Sequence, residues 1–511
     1  MSQTAAAAGR PPMTLPLKLS YGFGSVAFGA KTYLMGQLLF FYSQLVGLPP
    51  IWVSVALTCS LVFDAFWDPF IGQVSDNVRS RWGRRHPFMY ASALPAAGFL
   101  IMLFHPPEGW SDPAVTAYMF AMVVLARCTI SLYEVPATAL TPELAPSYDE
   151  RTALLTYRYF FGALATSGAA VMGLRLFLTP IKGPTGRMLP GQMNEEGYAP
   201  FAIAVGVIMI ASILIASLAT HRFIPHLHMP PLRRPPMWDT LKEMASTLSN
   251  RNFLVVTLSA LMTGIGAGLG SGLSTYFSTF MWGLQSTDLG NIIIGSMIGS
   301  FLALIVAPAT ARRLGKKRGC ITVMTLGLIV AVAPLTLRLT GVLPYSLNGT
   351  PALIWILFAD RILSATLATC AGIMAASMIA DVVEENQVKT GRRSEGLLLS
   401  ADNVLQKVVG AVAGILPGVM IQLVGLPRGR HVDPASVDPS IMHNLALMYL
   451  PGAAAFSALA IAALTLYRID KNAHEANLRR LEEAAAAGEA AAEGRDAGDL
   501  TDGVAPSPRP L

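Results

Sequence analysis

Residues 52 to 85 read WVSVALTCSLVFDAFWDPFIGQVSDNVRSRWGRR. From Trp52 to Ile71 the run is apolar or small, apart from two acids, Asp64 and Asp68. About 20 such residues cross the hydrocarbon of a bilayer as a helix. The run then gives way at Gly72 to a polar stretch carrying Arg79, Arg81, Arg84 and Arg85 around Gly83. The reading is a membrane span followed by a short basic turn. Two carboxylates inside a span are costly and therefore point to function.

The rest of the chain repeats the pattern. Hydrophobic residues make up 53% of the 511 positions and charged residues only 13%, against about 25% charged in a soluble domain. Mean hydropathy is +0.50. Such a chain cannot cover itself in water, and in lipid only helices or closed barrels satisfy the backbone. The apolar runs are long and lack strict alternation, which excludes a barrel. The expected fold class is an all-α membrane protein with twelve transmembrane helices in two six-helix halves. Spans are expected near 18–47, 52–76, 87–105, 114–140, 152–179 and 199–220, then near 253–281, 289–311, 320–342, 352–382, 396–425 and 441–467. The first and tenth exceed the usual length, so tilt or overhang is expected there.

The net charge of +6 does not indicate nucleic acid, because the basic residues sit in short loops. Arg79 to Arg85 follow span two, Arg233, Arg234, Lys242 and Arg251 follow span six, and Arg312 to Arg318 follow span eight. Loops after spans one, three, seven and nine contain no Lys or Arg. The positive-inside rule puts the basic loops and both termini in the cytoplasm, in a multi-pass inner (plasma) membrane protein. The segments 180–198 and 426–438 carry a few basic residues, so the asymmetry is imperfect. Met1–Leu15 lacks the apolar core of a signal peptide. The four cysteines show no disulfide or metal spacing.

Trp82-Gly83-Arg84-Arg85 is echoed 232 residues later by Leu314-Gly315-Lys316-Lys317. Two repeat-related halves are a feature of secondary transporters. The expected organisation is a cytoplasmic segment 1–17, a first half 18–220, a linker 221–252 ending in a short surface helix, a second half 253–468, and a disordered tail 469–511. No phosphate-binding loop occurs, which argues against an ATP-driven pump. Nor does any catalytic constellation, so no enzyme and no cofactor are expected.

Gly72-Gln73-Val74-Ser75-Asp76 with Gly83-Arg84-Arg85 resembles the cytoplasmic signature of the major facilitator superfamily. Phe63-Asp64-Ala65-Phe66-Trp67-Asp68-Pro69, the 381–396 segment DVVEENQVKTGRRSEG and Leu19-Ser20-Tyr21-Gly22-Phe23-Gly24 narrow this. Together they resemble the glycoside–pentoside–hexuronide cation symporters, the family of melibiose permease, over about residues 18–468. The resemblance implies the major facilitator fold and symport of a sugar or glycoside with H+ or Na+. Lysophospholipid symport on the same scaffold is the alternative, and a non-transporting sensor ranks behind both. It also implies a small-molecule substrate, contact with membrane lipid, no nucleic acid, and a monomer.

Asp64 and Asp68 are four residues apart and so share a helix face. Close carboxylates resist joint ionisation unless a proton or a metal ion sits between them. In the resembled symporters these positions form the cation site, to which a hydroxyl at Ser131 contributes. Glu134 matches an acidic position near the cation and sugar sites. Its competing reading is an ion pair with Arg127, seven residues earlier on the same span. Lys407 matches a span-eleven lysine, with Asn403 one turn before it. Lying about 15 Å from the cytoplasmic loop at ~1.5 Å per residue, it is too deep to snorkel easily. Asp64, Asp68 or Glu134 is expected to supply its counter-charge.

Arg158 is expected to contact substrate or to pair with Glu134. The family's arginine aligns one residue away, at Tyr159. Lys31 falls where melibiose permease has a sugar-binding aspartate nearby, which puts a galactoside-type site in doubt. Trp67 replaces an asparagine beside Asp68, which removes a sodium ligand, so coupling to a proton is expected at least as readily as to sodium. It serves either as a sugar platform or as packing. Asp360 and Arg361, adjacent in span ten, either find separate partners or line the cavity. Asp76, Arg84, Arg85, Asp381, Glu384, Arg393 and Glu395 are expected to form a bistable cytoplasmic gate.

Overall fold

A computed structural model describes residues 11, 13–145, 147–183, 186–227, 251–390, 395–429 and 432–467; at 148–149, 383–384, 386–390, 395–404 and 408 it describes backbone alone. Eleven described helices are long and apolar enough to cross a membrane. Span one is the twelfth and is built from pieces: Leu15–Phe23, Ser25–Gly36, Leu38–Phe40 and a π-turn Phe41–Val46. Its excess length is thus taken up by breaks. Close approach explains part of this. A Cβ at Gly24 would lie 1.8 Å from the Tyr133 hydroxyl, and one at Gly29 would lie 2.1 Å from the Gly162 carbonyl oxygen. Glycine lets span one press onto spans four and five.

Spans two to six are Pro50–Asn77, His86–Leu103, Asp112–Leu144, Tyr148–Met172 with the π-turn Gly173–Phe177, and Glu195–His221. Spans seven to twelve are Arg251–Tyr276 with the π-turn Phe277–Met281, Ser286–Leu314, Lys316–Leu339, Pro351–Thr390, Glu395–Leu423 and Pro439–Thr465. Local chemistry sets several starts. The Asn194 side chain accepts from the Gly197 N–H ahead of span six, Gln285 and Asp288 form a capping box at span eight, and Asp438 accepts from the Ser440 N–H at span twelve. Each satisfies amide donors that a helix start leaves open. The 180–198 loop departs from all-α. It holds a two-stranded hairpin, Ile181–Lys182 with Met188–Leu189. The linker helix expected around Trp238–Met244, the first ten residues and the tail beyond Tyr467 lie outside the described residues.

Within the first half, span one packs on five and span three on four and six; within the second, span eight packs on ten and span seven on twelve. The halves meet where span two lies along span eleven and span five along span eight. Most cross-half hydrogen bonds among the described residues sit at the end opposite the basic loops. Ser43 Oγ and Tyr276 OH are 2.6 Å apart, Tyr276 OH donates to Leu39 O at 3.1 Å, Gln192 Nε2 donates to Leu284 O at 3.0 Å, and Gly429 N donates to Gln44 O at 3.2 Å. The π-turns of spans one, five and seven lie in this region. Phe40, Phe41, Tyr276, Phe280 and Met281 of one large apolar cluster seal it. A Cβ on Gly418 would sit 2.6 Å from Pro50 O, so spans eleven and two approach backbone to backbone here.

At the basic end, Gly83 (φ 74°) and Gly315 (φ 76°) turn the chain in corresponding places of the two halves. Arg85 pairs with Asp76 at 2.9 Å and with Glu143 at 2.9 Å, and Arg84 also pairs with Glu143. Lys316 pairs with Asp381 at 2.6 Å. Thus each half ties its basic turn to an acid near the end of span four or span ten. The expected gate joining Arg84 and Arg85 to Asp381 is not formed by these two arginines in the described conformation. In this conformation both basic sets find anions inside their own half, where the helices hold them a fixed distance apart. The side chains of Glu384, Arg393 and Glu395 lie outside the described residues.

Candidate functional site

Span two carries Asp64 and Asp68 one turn apart, as the spacing requires, and span eleven brings Lys407 between them. Lys407 Nζ donates to Asp64 Oδ2 at 3.1 Å and to Asp68 Oδ2. This contact links the two halves at mid-span. A buried ammonium with no counter-charge is costly in the membrane, and the two carboxylates supply it. Ser131 Oγ, on span four, donates to Asp64 Oδ1 at 3.4 Å. Near the same level Thr58 donates to Ala411 O at 3.0 Å, fixing span two against span eleven.

Arg127 does not pair with Glu134. Its Nη1 lies 3.8 Å from Asp64 Oδ2. Although 127 and 134 are two turns apart, span two passes closer to Arg127 than two turns of its own helix do. Glu134 makes no ion pair or hydrogen bond among the described residues. Its charged neighbours are Lys31 on span one, Arg158 on span five, and Asp64 and Asp68. Lys31 is 8% exposed, lies over the Phe28 ring at 4.9 Å, and shares Glu134, Arg127, Asp64 and Asp68 as charged neighbours.

Arg158 corrects a further expectation. Its guanidinium donates to Thr138 Oγ1 at 2.8 Å, Tyr21 OH at 3.2 Å and Ser25 Oγ at 3.4 Å, rather than pairing with Glu134. Tyr21 OH in turn reaches Thr141 Oγ1 at 2.7 Å. The arginine therefore pins spans one, four and five. Tyr159, about 100° round the helix, is 77% exposed and shares none of these contacts. Trp67 is anchored rather than free. Its Nε1 donates to Cys128 O at 3.1 Å and its ring lies against Phe63 and Phe70. That favours packing over a sugar platform. In span ten, Arg361 Nε donates to Ser296 Oγ at 2.7 Å on span eight, so it does not rely on Asp360 alone. The Asn403 side chain lies outside the described residues.

Two residues escaped the sequence reading. Glu143, in the last turn of span four, anchors Arg84 and Arg85, and its signal was an acid at the edge of the loop that follows. Arg127 was read only as a partner for Glu134. Its place beside Asp64 depends on how spans two and four pack.

A family model described as MFS/sugar transport protein matches residues 20–471. An uncharacterized symporter of Synechocystis is 26% identical over 83% of this chain and 88% of its own length. The isoprimeverose transporter of Lactiplantibacillus pentosus is 24% identical over 89% of this chain and 88% of its own. Among solved structures, a bacterial homologue of the iron transporter ferroportin in an inward-facing state superposes with a TM-score of 0.59. It is 12% identical and covers 88% of this chain and 98% of that one, a likeness of fold alone. The chain belongs to the MFS/sugar transport protein family and is a membrane transporter, not an enzyme.

Proposed function

We propose that this family member moves a sugar or glycoside together with a cation, by alternating access, across the inner (plasma) membrane with both termini in the cytoplasm. The observation that carries the reading is Lys407 of the second half seated between Asp64 and Asp68 of the first. A coupling ion that reaches this pair competes with the ammonium for the same negative charge. Loading therefore loosens a contact that joins the halves, which ties ion occupancy to their relative position. Glu134 and Lys31, which lack a hydrogen-bonded protein partner among the described residues, are suited to receive a polar substrate from the first half. The similarity to an isoprimeverose transporter supports that substrate class.

Cross-half contacts at the end opposite the basic loops support a conformation open on the basic-loop side. With the orientation read from the charges, that side is the cytoplasm.

Reconstituted liposomes, given a panel of labelled glycosides under an imposed proton or sodium gradient, test the reading. Uphill uptake of a glycoside that collapses with the gradient is expected. Gradient-driven uptake of lysophospholipid with no sugar uptake would replace it with the lipid-carrier alternative. High-affinity sugar binding without any uptake would favour a sensor.

A further inference from the structure

Asp64 and Asp68 have unequal surroundings. Asp64 meets Arg127 Nη1 at 3.8 Å, Ser131 Oγ at 3.4 Å and Lys407 Nζ at 3.1 Å. Asp68 holds Lys407 through Oδ2 alone, while its Oδ1 is buried with no hydrogen-bond partner. Arg127 and Asp64 belong to the same half, so rocking of the halves does not part them. Lys407 belongs to the other half and leaves with it.

We propose that Arg127 is a built-in cation standing where a coupling sodium ion would meet Asp64, and that Asp68 is the one exchangeable carboxylate, loaded by a proton on Oδ1. The proposal rests on the reading of the chain as a cation-coupled symporter and names its ion and the residue that selects it.

Charge and ligands both support this. Two carboxylates face two side-chain cations, Arg127 and Lys407, so the cluster is neutral without any added ion. A sodium ion that displaces Lys407 from between the carboxylates still faces the Arg127 guanidinium, which stays protonated in proteins and stands 3.8 Å from Asp64 Oδ2, so its entry leaves uncompensated positive charge at mid-membrane. It also lacks an amide ligand beside Asp68. Trp67, tied to Cys128 O at 3.1 Å, occupies the position beside Asp68 between spans two and four. A proton needs no such ligand. It comes from the aqueous phase on the loading side, takes the open lone pair of Asp68 Oδ1, removes one of the two charges that hold Lys407 and leaves only Asp64, shared with Arg127, to hold it, and departs on the other side. The remaining charged groups around Asp68 among the described residues, Lys31 on span one and Glu134 on span four, lie beyond hydrogen-bonding reach of it.

The selecting role of Arg127 is tested without any sugar, by equilibrium binding of radioactive sodium to the purified full-length protein. Wild type and Arg127→Lys are expected to show no saturable binding. Arg127→Ala is expected to gain saturable binding, roughly ten-fold or more above wild type, which a further Asp64→Asn change removes. Saturable sodium binding by wild type, or none by a monodisperse Arg127→Ala protein, overturns the assignment.

The proton site is read by infrared difference titration of the carboxyl stretch. One protonation band is expected to persist in Asp64→Asn and to vanish in Asp68→Asn. The reverse pattern, or a spectrum that neither change alters, sinks the role given to Asp68. Because neither readout involves a glycoside, a failure here is separate from a failure of sugar uptake in liposomes.

Discussion

Lys407 Nζ lies 3.1 Å from Asp64 Oδ2, joining residues 343 positions apart and the two halves of the protein. The contact sits on the helix pair where the halves meet, not inside either bundle. It is therefore one of the few described interactions that must change when the halves move.

Replacing that lysine tests its weight. Lys407→Ala is expected to leave the carboxylates without their mobile partner and to abolish uphill uptake while counterflow exchange persists. The stability loss should be about 2–3 kcal/mol, less than the ~3–5 kcal/mol of a fully buried pair, because the side chain is 28% exposed. Lys407→Arg should restore only part of the coupling, since a planar fork does not match a compact ammonium. Wild-type accumulation by the alanine variant would show the lysine to be mere packing.

Gly418 sets how closely the halves shut at the end away from the basic loops. An added Cβ meets Ser54 Oγ at 2.1 Å and Pro50 O at 2.6 Å. Gly418→Ala is expected to penalise the closed arrangement by ~1–3 kcal/mol, enough to shift the balance of states about ten-fold. Spin labels at Leu176 and Leu423 in a cysteine-free background read the distance across that end, which should lengthen. An unchanged distribution means the close approach is dispensable.

Gly315 separates steric from conformational need. A Cβ there meets nothing within 4 Å, yet its φ of 76° and ψ of 164° belong to a region essentially reserved for glycine. Gly315→Ala should thus cost ~1–3 kcal/mol despite the open space, seen as a lower Tm in detergent. If the variant melts with wild type, the turn between spans eight and nine relaxes freely.

The proposed orientation rests on the basic loops. A phosphatase active only outside the cytoplasm, fused after Leu511, is expected to stay silent, and a cytoplasm-active reporter at the same place to function. Phosphatase activity would invert the topology, and with it the side to which the described conformation opens.

Sequence determined what depends on near neighbours along the chain. The number of spans followed from apolar runs of membrane length, the shared face of Asp64 and Asp68 from helical spacing, and the need of Lys407 for an acid of the first half, Asp64, Asp68 or Glu134, from the cost of a lone ammonium in lipid. Tertiary structure decided whatever depends on which helix faces meet. Arg127 turned to Asp64 instead of Glu134, and Arg158 to Tyr21 and Thr138 instead of Glu134. In the described conformation Arg84 and Arg85 meet Asp76 and Glu143 of their own half. A charged side chain several ångströms long can reach more than one neighbour. The choice among them is made by interhelical distances of a few ångströms, set by close contacts such as those at Gly24 and Gly29, and no spacing along one helix contains that information.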